Sequence, residues 1–162
     1  MSGKQIKMIA SKNISVKEAW KILEEIPDPE LPVLSIIDLG IVRNIKINDD
    51  EIEVIITPTY SGCPAMDMIK MNLRLALIEH GFENIKITTI LSPAWTTDWM
   101  SENAKQKLND YGIAPPIKQH EIHCPLCNSI NVKMISHFGS TACKALYQCN
   151  DCKEPFDYFK CH

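Results

Sequence analysis

Near the C-terminal end of the chain, Cys124-Pro-Leu-Cys127 and Cys149-Asn-Asp-Cys152 form two Cys-x-x-Cys pairs with 21 residues between them. This spacing restricts the fold more than any other feature, because each pair is a turn that points two sulfurs the same way. Two such turns close around one shared tetrahedral ion. Four thiolates are soft ligands that suit zinc or iron better than hard cations. The gap is slightly longer than the usual template of about 15–20 residues, so one or two β-hairpins are expected to fill it.

Pairing these cysteines as disulfides would require an oxidising compartment. The N-terminal Met1-Ser-Gly-Lys-Gln-Ile-Lys-Met8 has no apolar stretch followed by a small-residue cleavage site, so an intracellular, cytoplasmic metal site is expected instead. Size points the same way. Residues 120–162 are too few to fold on their own apolar core, and one structural zinc, contributing on the order of 10–16 kcal/mol, would hold them together. The expected ligands are Cys124, Cys127, Cys149 and Cys152, one ion per chain. His123, His137, Cys143, Cys161 and His162 are surplus, and a closed site with four protein ligands leaves them supporting or packing roles. In the alternative, Cys143 or Cys161 replaces one of the four, or Cys143, Cys161 and His162 build a labile second site. Phe156, Tyr158 and Phe159 are expected to pack over the knuckles.

The chain has 162 residues, 45% hydrophobic and 23% charged, with a net charge of -3. That suffices for one domain of about 110 residues and a small appendage. No run approaches the roughly 18 apolar residues of a membrane span. In the metal-binding segment Lys118, Lys133, Lys144, Lys153 and Lys160 are balanced by Glu121, Asp151, Glu154 and Asp157. Without a basic stripe, a nucleic-acid partner is not expected, and a nucleic-acid-binding zinc ribbon is kept only as an alternative.

Ser15-Val-Lys-Glu18 reads as a capping box, and Val16, Ala19, Trp20, Leu23 and Ile26 follow at helical spacing until Pro27. The prolines in Asp28-Pro-Glu-Leu-Pro-Val-Leu-Ser-Ile-Ile-Asp-Leu-Gly40 forbid a regular helix there, which predicts a packed loop. Alternation of Ile52, Val54 and Ile56 against Glu51 and Glu53 marks a half-buried hairpin over roughly 41–47 and 51–57. Pro64 as first helical residue would make Cys63 the N-cap of a helix running through His80. A third strand is expected over about 84–91 and a helix over about 98–111. The resulting order, α-β-β-α-β-α, describes a small α+β domain with helices on a three-stranded sheet, over residues 1–113. A proline-containing linker at 114–119 and a zinc-ribbon-like β module at 120–162 complete the expected organisation.

Cys63 stands apart from the paired cysteines. At a helix N-terminus its thiol would face free backbone N–H groups that lower its pKa, which suits a reactive or ligating role; as a small buried hydrophobe it would need no function. Asp28, Glu30 and Asp38 can cap backbone or contact a partner, capping being the commoner use. No Ser-His-Asp set, phosphate loop or His-Glu-x-x-His pattern is present, and His80 reads as a partner of the helix C-terminus. A thiol-dependent enzyme using Cys63 would need a base brought to it by the fold. Met66, Met68 and Met71 suit a core or an adaptable partner surface more than metal ligation.

Asp28-Pro-Glu-Leu-Pro-Val-Leu-Ser-Ile-Ile-Asp-Leu-Gly40 and Thr57-Pro-Thr-Tyr-Ser-Gly-Cys-Pro64 resemble the SufT-like family of small domains linked to iron-sulfur protein maturation. Asp98-Trp99, Tyr111-Gly-Ile-Ala-Pro-Pro116, Phe138-Gly-Ser-Thr-Ala-Cys-Lys-Ala-Leu146 and Glu154-Pro-Phe-Asp-Tyr-Phe-Lys-Cys-His162 narrow the resemblance to the PaaD (PaaJ) family, the D subunits of multicomponent phenylacetyl-CoA 1,2-epoxidases. The resemblance implies an accessory role in aerobic phenylacetate catabolism without a catalytic centre of its own. It implies partnership with the other epoxidase subunits, with the iron-sulfur flavin reductase or the diiron oxygenase subunit as client. The family's cysteine in the Gly-Cys-Pro turn falls on Cys63, a candidate contact for transient iron or an iron-sulfur cluster, and its ribbon cysteines fall on Cys124, Cys127, Cys149 and Cys152.

Overall fold

The computed structural model describes residues 14–117 and 121–160; Cys161 and His162 lie outside them. Helix α1 (Val16–Glu24) starts at the expected capping box, with the Glu18 N–H donating to Ser15 Oγ at 3.2 Å and the Ser15 N–H donating to the Glu18 carboxylate at 2.7 Å. Such a cap contributes about 1 kcal/mol. Ala19 and Leu23 are fully buried on the inner face of the helix.

Strands β1 (Val42–Asn48) and β2 (Glu51–Ile56) form the antiparallel hairpin, and β3 (Asn84–Thr89) returns parallel to β2 after the crossover through α2 (Ala65–Glu79). Ile52, Val54 and Ile56 have no exposed surface, as the period-two pattern requires. In α2, Met66, Ile69, Leu73 and Leu77 point into the core. Met68 and Met71 lie on the exposed side with Leu75 and Ile78, so of the three methionines only Met66 joins the core.

The helix expected over 98–111 is interrupted. A single 3-10 turn at Thr97–Trp99 is followed by extended Met100, and α3 (Glu102–Asp110) begins afresh with Ser101 Oγ accepting the Ala104 N–H at 2.9 Å. Burial explains the break: Trp95 and Met100 are both in the core, and Trp95 Nε1 donates to the Leu39 carbonyl at 2.8 Å. That bond anchors the 28–40 loop, in which Leu31, Leu34, Ile36 and Leu39 are buried. Gly40 closes the loop at φ +69, and a Cβ there would stand 2.5 Å from the Trp99 carbonyl oxygen. Gly40→Ala combines a left-handed backbone with a clash against main chain, so a loss of about 2–5 kcal/mol is expected in chemical denaturation. A loss below about 1 kcal/mol would show that the loop yields freely.

The second sheet has the order β4-β7-β6-β5, from β4 (Ile113–Ala114), β5 (Val132–Ser136), β6 (Lys144–Cys149) and β7 (Pro155–Phe159). Its strands are antiparallel except for β4 beside β7. One end of this sheet encloses a small core of Ala114, Cys124, Cys149 and Phe156, while Cys143 and Phe159 at the other end are buried in the large core. Period two accounts for the split in β7: Phe156 and Tyr158 share the face toward the knuckles. Phe159 points the other way, edge-on to Trp95 at 6.2 Å. The expectation that all three aromatics cover the knuckles is therefore corrected for Phe159. Among the described residues no helix is long and apolar enough to cross a membrane.

Candidate functional site

Two knuckles bring Cys124, Cys127, Cys149 and Cys152 together with all four sulfurs within 4.8 Å of one another. Cys124 Sγ lies 3.7 Å from Cys152 Sγ, and Cys127 Sγ lies 3.6 Å from Cys149 Sγ. A tetrahedron with metal–sulfur bonds of about 2.3 Å has edges of about 3.8 Å, which these two pairs match, and the whole group is compact enough to close around one ion. These separations are far beyond the roughly 2.05 Å of a disulfide.

Local backbone chemistry shapes both turns. Asn128 and Lys153, each following the second cysteine of its pair, adopt φ +61 and φ +68. The Cys124 N–H donates to the Ser129 carbonyl at 2.9 Å and the Cys149 N–H to the Glu154 carbonyl at 3.0 Å. N–H groups of Cys152 and Asp151 pull the Cys149 thiol down to about 7, favouring the thiolate that a metal needs. A polar clasp locks one knuckle to the other: Asp151 accepts from Ser129 Oγ and, at 2.9 Å, from Asn131 Nδ2, while Asn150 Nδ2 donates to Asn131 Oδ1 at 2.9 Å. Sequence reading missed this clasp, although Asn150 and Asp151 are the two residues inside the second Cys-x-x-Cys. Of the surplus groups, His123 Nδ1 lies 3.4 Å from the Asn128 carbonyl, and exposed His137 lends its carbonyl to Lys160. Cys143 is not part of the four-sulfur group.

A second cavity, where the N-terminal half meets the second sheet, gathers residues that the sequence had offered separately. Asp28, Glu30, Thr59, Cys63 and Cys143 line it, against walls that include Met66 and Phe159. The Asp28 carboxylate caps its own loop, accepting from the Glu30 and Leu31 N–H groups at 2.9 and 2.8 Å. Burial nevertheless raises its pKa, outweighing those bonds and the nearby Lys144. Glu30 is raised as well, by burial and by the Asp28 charge beside it. Asp38 stands elsewhere: it accepts from Lys107 Nζ at 2.7 Å and from the Ser35 N–H, binding the loop to α3. Burial pushes its pKa up, but Lys107 and Ser35 prevail and leave it below the usual carboxylate range.

Cys63 is half-buried just before α2, one residue further from the helix than expected, since Pro64 takes the cap position with helical angles. Its thiol receives the Ala65 N–H and the hydroxyls of Tyr60 and Thr59, yet its pKa is raised, because burial and the Glu30 charge outweigh those donors. The expected lowering is thus reversed. His80 is elsewhere, with Nδ1 2.8 Å from the Ala76 carbonyl, and no histidine among the described residues lines the Cys63 cavity.

Comparison with known proteins agrees with this geometry. Residues 113–160 match the PaaD zinc beta ribbon domain, and residues 17–86 match the iron-sulfur cluster assembly protein family. Over 153 residues the chain is 49% identical to an Escherichia coli (strain K12) protein named as the D subunit of 1,2-phenylacetyl-CoA epoxidase, covering 90% of this chain and 93% of that one. The chain belongs to the PaaD family. Its N-terminal part is also 34% identical to the Fe-S protein maturation auxiliary factor of Porphyromonas gingivalis (strain ATCC BAA-308 / W83), over 54% of this chain and 85% of that protein. The crystal structure of the domain DUF59 from Bacillus anthracis superposes with a TM-score of 0.53 at 26% identity, covering 57% of this chain and 90% of that one. A member of the PaaD family therefore carries an α+β iron-sulfur-assembly domain together with a zinc ribbon whose four cysteines are arranged to bind metal.

Proposed function

We propose that this protein is an accessory maturation factor for the phenylacetyl-CoA ring-epoxidising system. In this reading the ribbon holds one structural zinc through Cys124, Cys127, Cys149 and Cys152, and Cys63 meets iron or an iron-sulfur cluster on its way to a client. That client is another epoxidase subunit, the iron-sulfur flavin reductase or the diiron oxygenase. The observation that carries this reading is the placement of Cys63 beside Glu30 and Asp28 in one partly buried cavity where the iron-sulfur-assembly domain meets the second sheet. A thiolate with carboxylates suits ferrous iron, and so small a ligand set holds it weakly enough to pass on. The named relatives support both the epoxidase setting and the maturation role.

Turnover by this chain alone is not expected, since the groups within hydrogen-bond reach of Cys63 are donors rather than a base. Purified protein with phenylacetyl-CoA, oxygen and a reductant should form no product. Added anaerobically with ferrous iron and sulfide to metal-free epoxidase subunits, it should speed the recovery of epoxidation several-fold over iron and sulfide alone. Product from the isolated chain, or recovery unchanged by its addition, would contradict the proposal.

A further inference from the structure

The cysteine pairs absorb four of the sulfurs, and the maturation reading absorbs Cys63; among the described residues Cys143 is left over. It immediately precedes β6, the strand that ends at Cys149. Six residues of strand at about 3.3 Å each separate the two by about 20 Å, so Cys143 cannot serve the knuckles. Its position is instead fixed at the cavity that holds Cys63. The Lys160 N–H donates to the Cys143 carbonyl at 3.0 Å, Thr141 Oγ1 lies 3.0 Å from its sulfur, and the thiol points to Glu30 Oε2 at 4.0 Å. Only 5% of Cys143 is exposed, and it shares the wall of the cavity with Cys63, Glu30 and Asp28. The free space there is about 10 Å³, the scale of a single ion or water.

We propose that Cys143 joins Cys63 and Glu30 in a second metal site, built between the iron-sulfur-assembly domain and the second sheet, that takes one thiophilic divalent cation, ferrous iron. The proposal rests on the reading of Cys63 as an iron contact and adds a ligand that the iron-sulfur-assembly domain does not contain. Two sulfurs with carboxylate oxygen favour iron, zinc or cobalt and disfavour calcium and magnesium. Electrostatics agree with the geometry. Burial raises the pKa of Cys143 and of Cys63, and Glu30 raises each further. Tyr60, beside them, is pushed up to about 12 by burial and by Cys63, Glu30 and Cys143. A divalent cation offsets the mutual repulsion of acidic groups gathered in so little space. The Lys144 ammonium also faces Asp28, Glu30 and Cys143, but it is drawn toward Asp157 at 4.0 Å and leaves the set net acidic. Cys63, Glu30 and Cys143 are not drawn together as tightly as the four ribbon sulfurs, so binding brings their side chains inward around the ion.

The test is an anaerobic titration of the full chain, with its ribbon already loaded with zinc, using cobalt(II) as a spectroscopic probe and then ferrous iron. Wild type should take up one further ion, with near-ultraviolet thiolate-to-cobalt absorption and release of protons. Cys143→Ala and Glu30→Gln should each weaken that uptake by at least about tenfold while keeping the ribbon zinc, which also reports folding. Loss of uptake in Cys63→Ala but full uptake and full thiolate absorption in Cys143→Ala would overturn this proposal and leave the Cys63 reading standing. Uptake unaffected by either substitution, or no further ion in wild type, would overturn the site altogether.

Discussion

Cys149→Ser should abolish stable zinc binding. Cys149 is fully buried, its sulfur is one corner of the four-sulfur group, and it forms part of the small core with Cys124, Ala114 and Phe156. Removing one of four thiolates should weaken the metal by more than about a hundredfold. With so few apolar residues in that core, most of the stability at this end of the sheet comes from the ion. Protein purified with the substitution should carry little zinc, and hydrogen exchange should rise steeply around both knuckles. The division into residues 1–113, a linker at 114–119 and a module at 120–162 remains a proposal that the same experiment addresses. If it holds, protection in β1, β2 and α2 survives. Because Cys143 and Phe159 reach into the large core, some loss of stability there is also expected, and collapse of both regions in one step would mean that they are a single cooperative unit.

The second large effect belongs to Cys63→Ser. The side chain is half-buried and its hydrogen-bonding neighbours Thr59, Tyr60 and the Ala65 N–H can all serve a hydroxyl, so fold and ribbon zinc should be retained. What is lost is the soft ligand. In cells producing this variant in place of wild type, epoxidation should fall several-fold, while the client's own active site is chemically unaltered. Near-wild-type activity would reduce Cys63 to a small buried residue packed against the core.

Much of the fold was readable because short-range chemistry dictated it. Ser15 and Glu18 specified their helix start, and the alternation around Ile52 and Val54 specified a half-buried strand. What escaped depended on distant partners. The break at Met100 follows from burial of that residue and Trp95 under the 28–40 loop, though Ser101 ahead of Glu102 was a usable N-cap signal. The pairing of Ile113–Ala114 with β7 is set by the sheet rather than by two residues of sequence. The knuckle cysteines were legible from spacing alone, because a four-ligand ion leaves a periodic trace. The cavity was not: Glu30, Cys63 and Cys143 come from three widely separated segments, and the helix end at Cys63 carries no trace of the carboxylate and the burial that reverse its pKa.

Iron per subunit in the epoxidase proteins purified from cells with and without this chain separates supply from catalysis. Without the chain, the reductase or the oxygenase subunit should be recovered largely iron-free and inactive, and anaerobic reloading with iron, together with sulfide for the reductase, should restore the epoxidation rate with this protein still absent. Subunits that are fully loaded with iron yet inactive until the chain is added back would contradict the maturation role and make the protein part of turnover itself.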